Sequence, residues 1–128
     1  MQSQVTTTNL NTVSVYDITA NSWSNLGKNL NVAREGHSAC LVDETIYAVC
    51  GSAGMFEQLS SIEKLKISAV NTYSDSSTWE LIQIDSGSFK PRRSPICFGY
   101  SPNTFIVFGG ISGGDVLNEA IKLDGESL

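Results

Sequence analysis

Positive charge and histidine are both scarce in this chain. Eight Lys and Arg stand against thirteen Asp and Glu, for a net charge of −5. That balance argues against a nucleic-acid partner, because affinity for phosphate backbones comes largely from cations that displace counterions. The lone histidine, His37, cannot build a metal site without partners, and it sits just ahead of an apolar strand, in a structural slot rather than one suited to nucleophilic catalysis. No P-loop, G-x-G-x-x-G, H-E-x-x-H or Cys/His zinc pattern occurs, so no catalytic residue, metal or cofactor is expected. No apolar run approaches a membrane span, and Met1 to Leu10 is polar and Thr-rich with no leader-like pattern. Neither a membrane association nor a signal peptide is expected. The three cysteines, Cys40, Cys50 and Cys97, form no C-x-x-C, and each lies in an apolar stretch. With no N-x-[ST] site present, they favour a reducing, cytoplasmic setting.

What the chain does have is repetition. Ala33 to Val42 leads into Thr45 to Gly51, and Arg92 to Tyr100 leads into Thr104 to Gly110. Aligning Arg34 with Arg93 also aligns Gly51 with Gly110, both at an offset of 59. In each copy two apolar runs flank a polar turn, Asp43-Glu44 or Pro102-Asn103, which predicts hairpins. A second element, Leu10 to Asp17, returns as Leu59 to Lys66 and as Leu117 to Asp124. A third places Trp23 and Trp79 after polar turn clusters.

One segment is ambiguous alone. Ser60-x-x-Glu63 has the form of a helix capping box. Its sister copy Val13 to Tyr16 is alternating and β-branched, which predicts a strand here as well. The unit therefore carries four strands, and inner runs such as Ile46 to Cys50 and Phe105 to Phe108 are apolar throughout, as in sheets covered on both faces. Four short antiparallel strands per repeat predict an all-β propeller blade.

The residues also resemble the kelch repeat. The resemblance rests on Phe105-Ile106-Val107-Phe108-Gly109-Gly110, on Tyr16-Asp17 followed by Trp23, and on Arg34-x-x-His37 ahead of an apolar strand. It implies a kelch-type β-propeller segment of four-stranded antiparallel blades in an incomplete ring. Residues 10–30 would supply the last two strands of one blade, 34–84 a complete blade, and 93–124 the first three strands of the next, after a polar tail over 1–9. Tyr16, Asp17, Trp23, His37, Gly51, Trp79, Gly109 and Gly110 are then structural repeat residues. The aromatics would fill the gaps between neighbouring sheets. Departures include Cys50-Gly51 in place of a double glycine and a longer insert between Ile67 and Trp79.

The resemblance implies a non-catalytic protein–protein interaction module, a scaffold or adaptor. The alternative is part of a kelch-type enzyme, a copper-radical oxidase or sugar-acting enzyme, with most catalytic residues outside this chain. Loops should carry the function. Met55, Phe56 and Glu57 place apolar side chains in a turn-like stretch, where Phe56 either anchors a partner or folds back over the blade. Arg34 and Glu35, with Arg92 and Arg93, occupy the links, and their guanidinium forks either grip a partner's carboxylates or pair internally. The expected partner is a protein of unspecified identity. Self-association, or further blades from the same or another chain, would complete the ring.

Overall fold

The computed structural model describes residues 8–67, 77–84, 87–100 and 102–128. The polar tail and the long insert before Trp79 lie mostly outside them. Among the described residues there is no helix, so none is long and apolar enough to cross a membrane.

Thirteen strands are present among the described residues. They are β1 (Ser14–Asp17), β2 (Ser22–Asn25), β3 (Ser38–Val42), β4 (Thr45–Val49), β5 (Ser52–Gly54), β6 (Glu57–Gln58), β7 (Ser61–Lys66), β8 (Glu80–Gln83), β9 (Ile96–Tyr100), β10 (Thr104–Phe108), β11 (Ile111–Ser112), β12 (Asp115–Val116) and β13 (Ala120–Asp124). They form a four-stranded sheet in the order β3-β4-β7-β8, a three-stranded sheet β13-β10-β9, and three two-stranded hairpins, β1-β2, β5-β6 and β11-β12. Every pairing between these strands is antiparallel. The ambiguous segment is strand β7. It runs between β4 and β8 with Ile62 on one face and Glu63 and Leu65 on the other, all buried. A sheet covered on both faces hides the simple alternation that would have marked it as a strand.

Cross-strand register assigns the faces. Cys40 pairs with Tyr47 and Ser38 with Val49, while Ile62 lies opposite Val49, so these residues share one face of the four-stranded sheet. In the three-stranded sheet Cys97 pairs with Val107 and Gly99 with Phe105. These two faces meet to form the main core of Val42, Tyr47, Val49, Ile62, Phe89, Cys97, Phe105 and Val107. The Tyr47 and Phe105 rings lie 4.6 Å apart. Each fully buried aliphatic or aromatic side chain contributes about 1.5–3 kcal/mol, so this contact dominates the fold. Gly99 brings the sheets together at one edge, because a Cβ there would collide with Val42 and sit 2.7 Å from the Leu41 carbonyl oxygen.

The opposite face of the four-stranded sheet holds Ala48 and Leu65, packed with Leu30 and Trp79 and flanked by Val13, Leu26 and Ile46. Trp79 is buried, and its indole N–H donates to the Lys28 carbonyl at 3.2 Å. Tyr16 and Trp23, expected between sheets, are both exposed among the described residues. Trp23 is 72% exposed and meets the Tyr16 ring at a tilt, 5.0 Å away, on a two-stranded ribbon that carries no further sheet among the described residues. Asp17 works locally, its carboxylate accepting from the Ala20 N–H at 2.9 Å in the turn.

The two repeats are out of step by one residue. Two residues separate β3 from β4, whereas three separate β9 from β10. The inner strands therefore recur at 59 and the segments ahead of them at 58. The isolated bridges confirm it, since Glu35 pairs with Ser52 as Arg93 pairs with Ile111. Arg34 corresponds to Arg92, and the alignment of Arg34 with Arg93 is corrected accordingly.

Candidate functional site

Two short hairpins project from equivalent strand ends. After β4 the backbone turns at Cys50 (φ 58°) and Gly51 (φ 93°), and after β10 it turns the same way at Gly109 (φ 64°) and Gly110 (φ 101°). Positive φ is cheap for glycine and costs a side-chain-bearing residue about 1–2 kcal/mol. Cys50 therefore adopts a glycine's conformation. Gly51 and Gly110 have a further reason to lack a side chain. A Cβ on Gly51 would lie 2.6 Å from the Glu35 carbonyl oxygen, and one on Gly110 would lie 2.9 Å from that of Arg93.

The hairpin bases are tied down by matching backbone bonds. Leu59 N–H donates to Gly51 at 2.8 Å, as Leu117 N–H donates to Gly110 at 2.8 Å. Ser52 and Glu35 exchange bonds of 2.8 and 3.0 Å, as Ile111 and Arg93 exchange bonds of 2.9 and 3.0 Å. Glu35 and Arg93 themselves are exposed beside these bases.

Arg34 and Arg92 are not free to grip a partner. Both are buried, and of the two expected roles they take the internal one. Arg34 Nη1 donates to the Cys50 carbonyl at 2.8 Å and to Ser61 at 3.2 Å, and Nη2 reaches Glu63 at 2.7 Å. Arg92 Nη1 donates to the Gly109 carbonyl at 3.2 Å and Nη2 to Glu119 at 2.8 Å, with its guanidinium 4.7 Å from the Phe89 ring centroid. Each guanidinium thus clamps the carbonyl at a glycine-type turn to a carboxylate, and the hairpin rises from that clamp. Glu63 and Glu119 escape a sequence reading. The available signal is a carboxylate in or beside an apolar strand, which needs a cation when buried.

The tips differ sharply. Between β5 and β6 the turn carries Met55 and Phe56, which are 88% and 92% exposed, with Glu57 exposed beside them. Phe56 does not fold back over the sheet. Between β11 and β12 the same turn is Gly113-Gly114. The two hairpins are neighbours, since the Gly113 N–H donates to Gln58 Oε1 at 2.7 Å, and Val116 is also exposed. His37 lies exposed near the Arg34 clamp. Its pKa falls below the usual histidine value through partial desolvation and the Arg34 charge. Among the described residues no group of three or more His, Cys, Asp or Glu is placed to hold a metal ion.

An apolar groove of about 570 Å³ lies between β1 and the four-stranded sheet, bordered by Leu10, Val13, Tyr16, Ile46, Leu65 and Trp79. At the other end of the stack, Ile96, Phe98, Tyr100 and Phe108 are exposed on the outer face of the three-stranded sheet.

No family model matches the chain, and no curated protein matches it in sequence. Among solved structures, that of YjhT is similar, with a TM-score of 0.62 at 15% identity over 78% of this chain and 27% of that one. The chain therefore spans about a quarter of the length of YjhT.

Proposed function

We propose that this chain is a segment of a kelch-like β-propeller and serves as a non-catalytic protein-binding module, its partner held at the β5-β6 tip. The observation that carries the reading is the pair Met55 and Phe56, almost fully exposed on a base clamped by a buried guanidinium. A Phe left in water forgoes about 1.5–3 kcal/mol that a partner's pocket would recover. A rigid base limits the ordering cost on binding. Glu57 beside the tip and the net charge of −5 suit a partner with an apolar pocket and a basic rim. The propeller reading draws support from the shared strand order of the two stacked sheets and from the likeness to YjhT. On that reading further sheets, from the same or another chain, cover the groove and the outer face carrying Phe98 and Phe108.

The test is crosslinking of the full-length protein in its native cells, with and without Met55→Ser/Phe56→Ser. A partner captured by the wild type and lost from the double variant supports the proposal. Identical partner sets, with both proteins equally folded, would overturn it.

A further inference from the structure

We propose that Cys40 and Cys97 are a redox-active pair, closing to a disulfide that staples β3 to β9 across the stacked sheets. Stacked sheets ordinarily lie about 10 Å apart, wider than the ~4.4–6.8 Å between Cα atoms that a disulfide spans. At this edge the spacing collapses. Gly99, two residues after Cys97, lets β9 press onto the Leu41 and Val42 backbone of β3. The Cys97 N–H donates to Ser38 Oγ at 3.1 Å, two residues before Cys40. Register turns Cys40 towards the three-stranded sheet and Cys97 towards the four-stranded one. Both side chains pack into the same core at this closest approach of the two sheets.

The chemistry of the pair is asymmetric. The neighbouring Cys40 thiol, with the Ser38 hydroxyl and against the cost of burial, holds the Cys97 thiol below its ordinary range, while Cys97 and burial push Cys40 up. Cys97 is then the nucleophile and Cys40, which is only partly buried, the resolving thiol. Cys50 is fully buried, and desolvation pushes its thiol up to about 12, so it stays protonated and inert.

With a hydroperoxide as oxidant, the Cys97 thiolate attacks one peroxide oxygen. It becomes a sulfenic acid, and the other oxygen leaves as water after taking up a proton. Cys40 sulfur then displaces the hydroxyl from Cys97 sulfur, giving its own proton to the departing group, which leaves as a second water. Two thiols and one hydrogen peroxide become one disulfide and two waters, with two electrons passing from sulfur to oxygen.

The experiment treats the full chain with hydrogen peroxide, then alkylates remaining thiols and maps peptides by mass spectrometry. The proposal expects a Cys40–Cys97 cross-link, alkylation of Cys50 alone on unfolding, and reversal by dithiothreitol. The bond closes a loop of more than fifty residues, so the melting temperature should rise by roughly 10 °C on oxidation. Cys97→Ala should abolish both the cross-link and the shift, whereas Cys50→Ala should preserve the cross-link. The wild-type peptide map decides the matter even if a variant fails to fold. Three alkylatable thiols after oxidation, or a cross-link to Cys50 instead, would overturn the proposal.

Discussion

The two buried arginines do the same work in two surroundings. Arg34 and Glu63 both have side chains with no exposure, whereas Arg92 is buried against a Glu119 side chain that is 40% exposed. The sealed carboxylate of Glu63 is saturated. It accepts from Arg34 at 2.7 Å, from the Asn31 backbone and side-chain amides at 2.5 and 2.9 Å, and from Val32 N–H at 3.2 Å. Through these bonds it also fixes the link that covers Ala48 and Leu65. Arg34 is less complete than its counterpart. Its Nε is buried without a partner, while Arg92 Nε donates to the Lys90 carbonyl at 3.0 Å. The lesson is that equal distances do not mean equal dependence. What matters is whether the survivor of a broken pair can return to water.

The largest effect should come from breaking the sealed pair. Arg34→Ala strands the Glu63 carboxylate in the core and should cost about 3–5 kcal/mol in urea unfolding. A loss below about 1 kcal/mol, the range of exposed surface pairs, would erase the contrast. Arg92→Ala should cost less, about 1.5–3 kcal/mol, because Glu119 can rehydrate while the Gly109 hydrogen bond and the Phe89 contact are lost. Equal losses for the two variants in the same assay would show that exposure of the acid is irrelevant. Glu119→Gln keeps a hydrogen-bond acceptor at the half-exposed site, and its denaturation midpoint should move by less than about 1 kcal/mol equivalent.

The smallest effect is a pH slope at His37. Its folded pKa lies below the ordinary 6.5, so the folded state binds fewer protons than the unfolded state in that window. Stability should be fully present above 6.5 and decline as pH falls from there through the folded value. Thermal melts of His37→Asn should lack that slope, and Arg34→Ala should reduce it, since the Arg34 charge is one of its causes. A slope unchanged in both variants would remove His37 from the clamp's surroundings.

Much of the fold was legible because it repeats. The glycine-type turns, the apolar inner strands and the strand character of Ser61 to Lys66 all followed from comparing one copy with another. The clamps did not. An extra residue between Tyr100 and Thr104 shifts the preceding segment by one, and with Arg92 and Arg93 adjacent, an offset of 59 selects the exposed arginine over the buried one. Glu63 was obscured by a capping-box pattern that its strand setting overrides. The hairpins β5-β6 and β11-β12 have strands of two or three residues, too short for any period to register. The exposure of Trp23 was not legible either, because its type suits a sheet interface and its exposure depends on which sheet lies above it.

The stacking of the two sheets has a thermodynamic consequence of its own. A chain whose layers touch only their neighbours behaves as a short linear array, with a term for each layer and a term for each interface. Among the described residues of the chain alone, the four-stranded layer has a neighbour on both sides, the three-stranded layer on one, and the β1-β2 ribbon contributes little interior of its own. Opening should therefore proceed from the ends inwards. Amide protons of β1-β2 would exchange first, those of β9, β10 and β13 next, and those of β4 and β7 only when the whole array comes apart.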